Sequence, residues 1–226
     1  PEAFLAELVE FCERKDLCLI TDDIYHNLVF DGQRAAPAYG FTQRDIESSR
    51  IIVINGISKT YGMTGFRIGW AVGPRAIVEI MTNVVAQTTS CASAISQVAA
   101  EGALTGSQSC VESLRVTIQN NRDVVMQELA GLASVVTARP QGAFYCLPDF
   151  RHYSQDSVEL AAFLLKKALV VTVPGKEFGL EGHLRLSFSG SAEDLTEGVG
   201  RMRWALDPDS PKEIDIGNRR LVRDWV

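Results

Sequence analysis

This 226-residue chain predicts an α/β fold with a smaller α+β unit behind it, and three observations carry the expectation. In the first part of the chain, short apolar or β-branched runs at residues 17–21 (LCLIT) and 51–54 (IIVI) alternate with stretches of helical period. Carboxylates and other chemically active residues follow those runs directly, at the end of a strand where an open α/β sheet places its ligands. Near Gly131 the composition and period shift to short strands around Pro and Gly turns, interleaved with amphipathic helical segments.

Taken in order, residues 1–14 start with Pro then Glu and place Phe4, Leu5, Leu8, Val9 and Phe11 on one side, the spacing of an amphipathic helix with proline in its first turn. The strand at 17–21 ends in Asp22, Asp23, Ile24 and Tyr25. From position alone, Asp22 and Asp23 read equally well as ligand-facing carboxylates or as residues that solvate a loop or cap a helix. Residues 31–49 are rich in turn formers and charges and predict a surface loop. The strand at 51–54 delivers Gly56, Ser58 and Lys59 to a turn. A lysine so placed invites a chemical reading, because an ammonium in an apolar setting is costly unless it is paired, deprotonated or covalently used. Residues 66–72 (FRIGWAV) predict a third strand with Arg67 at its head, closed by Gly73 and Pro74.

Residues 75–104 predict helix with a break or bend inside TTSCASAISQVAA, and residues 107–132 a second long helix with Val111, Leu114, Ile118, Val125 and Leu129 at helical spacing. Two short strands are expected at 134–138 and 143–146, a helix at 158–168, and strands at 169–173 and 184–189. Ser191 then heads a helix with Asp194 at the capping-carboxylate position. The polar tail from Asp207 onward alternates in charge and carries no functional reading.

Composition narrows the function classes. Hydrophobic residues make up 46% of the chain, ample for a core, and 22 Lys and Arg stand against 28 Asp and Glu for a net charge of −6. No basic stripe favours nucleic acid. No apolar span reaches bilayer length and the opening is not a signal peptide, so a cytoplasmic protein with no membrane partner is expected. The five cysteines are scattered without CxxC spacing, which indicates neither a disulfide framework nor a metal site.

Five segments, TDDIY, SKTYGMTGFRIGW, RPQGAFY, VPGKEFG and HLRLSFSGS, occur in an order and at a spacing that resemble the fold-type I aminotransferases that use pyridoxal 5'-phosphate. SKTYGMTGFRIG is most similar to the aspartate aminotransferase branch of class I/II. The resemblance begins partway into the family's large domain, so the chain is expected to lack the family's N-terminal part. It implies a partial large, cofactor-binding domain with a mainly parallel sheet flanked by helices at 1–105, a connecting long helix at 106–132, a small α+β domain at 133–206 and a polar tail at 207–226.

The same resemblance implies the site. Lys59 would be the catalytic Schiff-base lysine, and Asp22 the partner of the protonated pyridine nitrogen, preferred to Asp23 because Asp22 and Tyr25 match the family's Asp-x-x-Tyr spacing. Tyr25 would bond the ring's phenolate oxygen. Ser58 and Arg67 would bind the phosphate, Arg67 through a planar guanidinium suited to two parallel hydrogen bonds. Arg185 would clamp the substrate α-carboxylate and orient the Cα–H bond. The sequence departs from many relatives at Gly56, where a second phosphate-binding serine often stands, so anchoring there is expected to be weaker or to use backbone N–H groups. The implied activity is transfer of an amino group between an amino acid and a 2-oxo acid, by a homodimer. The alternatives are a carbon–sulfur lyase with the same cofactor, a ligand-sensing domain, and a fragment without activity.

Overall fold

The structure, a computed structural model, describes residues 1–217 and 219–225. The chain divides into two compact units, Pro1–Arg115 and Val116–Val226.

The first unit opens with helix α1 (Glu2–Arg14) directly after Pro1. Its buried face is Val9 and Cys12, while Phe4 and Phe11 are exposed, so the apolar stripe lies one step round the helix from the two aromatics. Strand β1 (Leu19–Asp22) runs parallel to β2 (Ile51–Gly56), with Leu19 opposite Ile51 and Asp22 opposite Ile54. The long connection between them includes the single 3-10 turn Ala38–Phe41. Ala38 from that turn joins Val9 and Ile51 in a small core lined by Leu5, Leu19, Tyr39, Phe41 and Val53. A four-residue helix, α2 (Ile57–Thr60), and a 3-10 turn (Thr64–Phe66) lead into β3 (Gly69–Val72), which pairs antiparallel with β2. The sheet order is β1-β2-β3.

Arg67 therefore does not head a strand. The ladder with β2 stops at the Gly56–Gly69 pair, and the three residues before Arg67 coil into the 3-10 turn, leaving Arg67 as its cap with φ +55°. The expected break in the next helical stretch falls at 89–93, between α3 (Arg75–Thr88) and α4 (Ala94–Thr105). Its local cause is visible. The Thr88 hydroxyl donates to Val84 O at 2.9 Å, and Ser90 turns the chain with φ +65°. Helix α5 (Ser109–Leu129) begins in the first unit and carries into the second.

In the second unit, β4 (Tyr145–Cys146), β5 (Val173–Pro174) and β6 (Leu184–Ser187) form a three-stranded sheet in the order β4-β6-β5, antiparallel throughout. Helix α6 (Ser157–Ala168) buries Leu160, Leu164 and Ala168, and α7 (Ala192–Leu206) buries Val199, Met202 and Trp204. Each has the cap its sequence calls for. Asp156 accepts from the N–H groups of Val158 and Glu159, both at 2.9 Å, and Ser191 accepts from Asp194 N–H at 3.1 Å while donating to its carboxylate at 2.7 Å. Such a cap stabilises a helix by about 1 kcal/mol.

The expected strands of this unit are shorter than the sequence suggests, with β4 starting at Tyr145 and β6 ending at Ser187, and two all but vanish. Residues 134–138 make a single bridge, Val136 to Asp149, because Ser134 sits at φ +58° and breaks the extended run. Of 169–173 only Val173 enters a strand, since Leu169 ends α6 in the left-handed conformation. The polar tail is ordered where it is described: β7 (Glu213–Ile216) and β8 (Arg219–Val222) form a hairpin. The following Trp225 packs edge-on against Phe163 of α6 and Trp204 of α7, each with ring centroids 5.4 Å apart. Among the described residues no helix is long and apolar enough to cross a membrane.

Candidate active site

Five of the six residues singled out from sequence belong to the first unit, and the ladder of β1, β2 and β3 sets their places. Asp22 is the last residue of β1, opposite Ile54. It is exposed, and its carboxylate takes the Ile24 N–H at 3.2 Å, which bends the chain out of the strand. Asp23 is used by the fold instead. Its N–H extends the ladder to Ile54 O at 2.8 Å, and its carbonyl accepts from His26 N–H at 3.0 Å. Tyr25 lies in that same turn, half-buried, with its carbonyl taken by Leu28 N–H.

Ser58 and Lys59 stand on α2, immediately past the end of β2, and both are half-buried. Their neighbours Ile57 and Thr60 are buried and hold the short helix against the unit, so its other face carries the serine and the lysine. Arg67, exposed, closes the connection back to β3, its guanidinium folded onto Thr64 O at 3.0 Å. A non-glycine residue in the left-handed region costs energy that regular structure avoids, which marks a position set by more than local propensity.

Gly56 is explained by packing. A Cβ there would stand 2.8 Å from Ile68 O and 3.2 Å from Gly69 Cα, so no side chain fits where β3 crosses β2. A serine at this position is therefore excluded by the close approach of these two backbones.

Sequence reasoning missed Asn55 and His26. Nδ1 of His26 lies 2.8 Å from Asp23 O and 3.0 Å from Asn55 Nδ2, and Asn55 Oδ1 accepts Gly56 N–H at 2.7 Å. Its tautomer decides whether Nδ1 donates to the carbonyl or accepts from the amide. These two residues tie the turn after β1 to the end of β2, holding the Asp22 segment beside the Lys59 segment. The available signal was an asparagine closing a run of four β-branched residues, where nothing apolar was needed.

Arg185 belongs to the second unit, on β6 between buried Leu184 and Leu186 and opposite Val173. No carboxylate among the described residues pairs with it. Aromatic faces serve instead: its guanidinium carbon lies 4.5 Å from the Tyr145 ring centroid and 4.7 Å from that of Phe178. Rings over a guanidinium fix its plane by cation–π attraction and leave its in-plane N–H donors for a ligand. The segments RPQGAFY, VPGKEFG and HLRLSFSGS thus supply β4, β5 with its following turn, and β6 of one sheet. Gly175 makes the junction possible, because a Cβ there would lie 2.2 Å from Leu180 O. Its N–H donates to His183 O at 2.7 Å.

Comparison with known proteins gives a consistent picture. Residues 1–202 match the family model described as aminotransferase class I and II. The chain is 36% identical over 211 residues to an aspartate aminotransferase of Streptomyces avermitilis, covering 89% of this chain and 51% of that protein. It is 36% identical over 207 residues to an aspartate/prephenate aminotransferase of Nitrosomonas europaea, covering 84% and 50% respectively. Among solved structures, an aromatic aminotransferase from Pyrococcus horikoshii superimposes with a TM-score of 0.81 at 32% identity, over 88% of this chain and 53% of that one. The aspartate aminotransferase of Thermus thermophilus with maleate does so with a TM-score of 0.81 at 33% identity, over 90% and 52%. The chain spans about half the length of the curated relatives it matches.

Proposed function

This chain belongs to the class I and II aminotransferase family, and from that premise we propose that it supplies the lysine, the phosphate anchor and the carboxylate clamp of a pyridoxal phosphate-dependent transaminase acting on an amino acid and a 2-oxo acid. The observation that carries the reading is the ladder that sets the Asp22 end of β1 beside β2, whose chain continues directly into Ser58 and Lys59.

The donor set fits the cofactor. An amine suits its aldehyde, a carboxylate its ring nitrogen, a phenol its ring oxygen, and a hydroxyl with a guanidinium its phosphate. When bound, pyridoxal phosphate supplies an electron sink for the charge that develops at the substrate Cα. Asp22, at the strand end, accepts from the ring N–H and keeps the proton there. The Tyr25 hydroxyl donates to the ring oxygen. Ser58 and Arg67 bind the phosphate, Arg67 with the turn at Thr64–Phe66 holding its side chain. Lys59 Nζ would bind the cofactor's aldehyde carbon and, when free, would carry the proton from the substrate Cα to that carbon, which requires a neutral amine. Arg185 takes the α-carboxylate, its plane set by Tyr145 and Phe178. The proposal includes a homodimer and a cytoplasmic location.

The test is covalent capture. The protein is incubated with pyridoxal phosphate, reduced with borohydride, digested and mapped by mass spectrometry. The modification is expected on the peptide containing Lys59 and absent from Lys59→Ala. Equal modification of other lysines, or its persistence in the alanine variant, would overturn the assignment. Half-reactions with aspartate, glutamate, alanine and aromatic amino acids then rank the substrates.

A further inference from the structure

The second unit contains a cavity of about 530 Å³ that the proposed chemistry does not use, lined among others by Tyr153, Leu160, Phe163, Leu206, Arg223 and Trp225. It lies between α6, the end of α7 and the segment that follows β8. That segment lies past residue 202, where the family match ends, so one wall of the cavity is chain that the family model does not describe.

Arg223 is the unusual member. It is 6% exposed, and a cation that deep is expected to have its donors taken. Nη1 is satisfied by two carbonyls, Pro208 O at 3.2 Å and Ser210 O at 2.9 Å. Nε is buried with no partner, and Nη2 has no hydrogen bond among the described residues. The guanidinium is thus held by one nitrogen while its Nε–Nη2 edge, the side-on fork that matches a carboxylate, is left over.

The remaining walls define the rest of a ligand. Leu160 and Phe163 of α6, Leu206 of α7 and Trp225 give an apolar lining of a size to take an aromatic ring or a branched aliphatic chain. Trp225 is itself fixed, packed edge-on to Phe163 and Trp204, with the Lys167 ammonium 5.1 Å from its ring centroid and Lys167 paired to Asp224. Ser154 and the exposed carboxylate-bearing Glu159 also line the cavity, and a pocket with apolar walls and a few placed polar groups is the usual form of a small-molecule site.

We propose that this cavity binds a small monocarboxylate with an apolar body, the carboxylate on the unpaired edge of Arg223 and the body between Phe163, Leu160, Leu206 and Trp225. The site is separate from Arg185, whose clamp lies on β6 and takes the reacting substrate.

Phenylacetate tests this, because it carries the head and body but no amino or oxo group to react at Lys59. Its binding to the full chain is measured by titration calorimetry. Binding is expected in the parent and at least tenfold weaker in Arg223→Lys, which keeps the charge and loses the fork, in line with the worth of a charge-assisted pair. Leu206→Trp, which fills the cavity with Arg223 in place, is expected to abolish it, so the result does not depend on how the tail tolerates the Arg223 change. Arg185→Lys should leave the affinity unchanged. No binding to the parent, unchanged affinity in both Arg223→Lys and Leu206→Trp, or loss in Arg185→Lys would each overturn the proposal. Capture of pyridoxal phosphate on Lys59 is unaffected by any of these outcomes and stands or falls by its own test.

Discussion

Replacing Gly56 with alanine tests the reasoning about the junction of β2 and β3. The added Cβ would lie 2.8 Å from Ile68 O, 3.2 Å from Gly69 Cα and 3.2 Å from Ile24 Cδ1. Ile24 can turn aside, but the first two are backbone atoms of the chain entering β3 and move only if the strands separate. Overpacking of this kind costs about 1–3 kcal/mol. Separation also threatens the hydrogen bond from Ile57 N–H to Ile68 O, 3.3 Å long, worth about 1 kcal/mol. The first unit should therefore lose roughly 2–4 kcal/mol on the sum of those two effects. Gly65→Ala is the control: nothing lies within 4 Å of its Cβ position, so it should fall within about 0.5 kcal/mol of the parent or stabilise slightly. Hydrogen exchange by mass spectrometry, on peptides covering 51–56 and 69–72 in rising urea, reads the local stability without interference from the tryptophans of the other unit. Capture of pyridoxal phosphate on Lys59 should fall in parallel, because α2 starts from this junction. Protection in Gly56→Ala equal to that of Gly65→Ala would refute the close-approach argument and reopen the position to a serine.

Three further outcomes are expected. Phe178→Leu removes one aromatic face from Arg185 and should weaken succinate binding several-fold, the worth of about 0.5–2 kcal/mol of cation–π attraction, with Lys59 capture unchanged; titration calorimetry and peptide mapping check both halves. Iodoacetamide at pH 8 should label exposed Cys18, Cys91 and Cys110 and spare Cys12 and Cys146 until denaturant is added, because burial pushes the Cys146 thiol up to about 12 and protects it as the thiol; rapid native labelling of Cys146 would contradict the packing of β4. Stability of the second unit should fall with acid: the Arg151 guanidinium and N–H hold Asp149 below its usual range, and the Ser157 hydroxyl and N–H do the same for Glu181. Because both folded-state values are depressed, these contributions are complete above the ordinary carboxylate values of 3.8 and 4.5 and are lost as pH falls through the lower folded values. Thermal melts from pH 6 to pH 3 should show it, with a shallower decline in Glu181→Gln.

What the sequence alone determined was local, chiefly helix starts and the main strand. Ser191 with Asp194, and Pro1 before Glu2, set helix starts through hydrogen bonds and dihedral angles spanning a few residues. The β-branched run before Gly56 set a strand that ends at the lysine turn. Asp22, Tyr25, Ser58, Lys59, Arg67 and Arg185 could be picked out as a candidate set because their residue types and spacing resemble those of a family, and the chain's membership in that family is shown. Tertiary structure decided the rest, because those outcomes depend on atoms far apart in sequence. Residue 56 has to be glycine only because Ile68 O arrives from the other side of a hairpin. Arg185 sits in an apolar strand without a counter-charge because Tyr145 and Phe178, 40 and 7 positions away, bring aromatic faces to it. Arg67 leaves its expected strand because the ladder stops two residues later. The tail, a polar stretch with no pattern of its own, gains meaning only when Trp225 finds Phe163 and Trp204, and when Arg223 is buried with its Nε unpartnered.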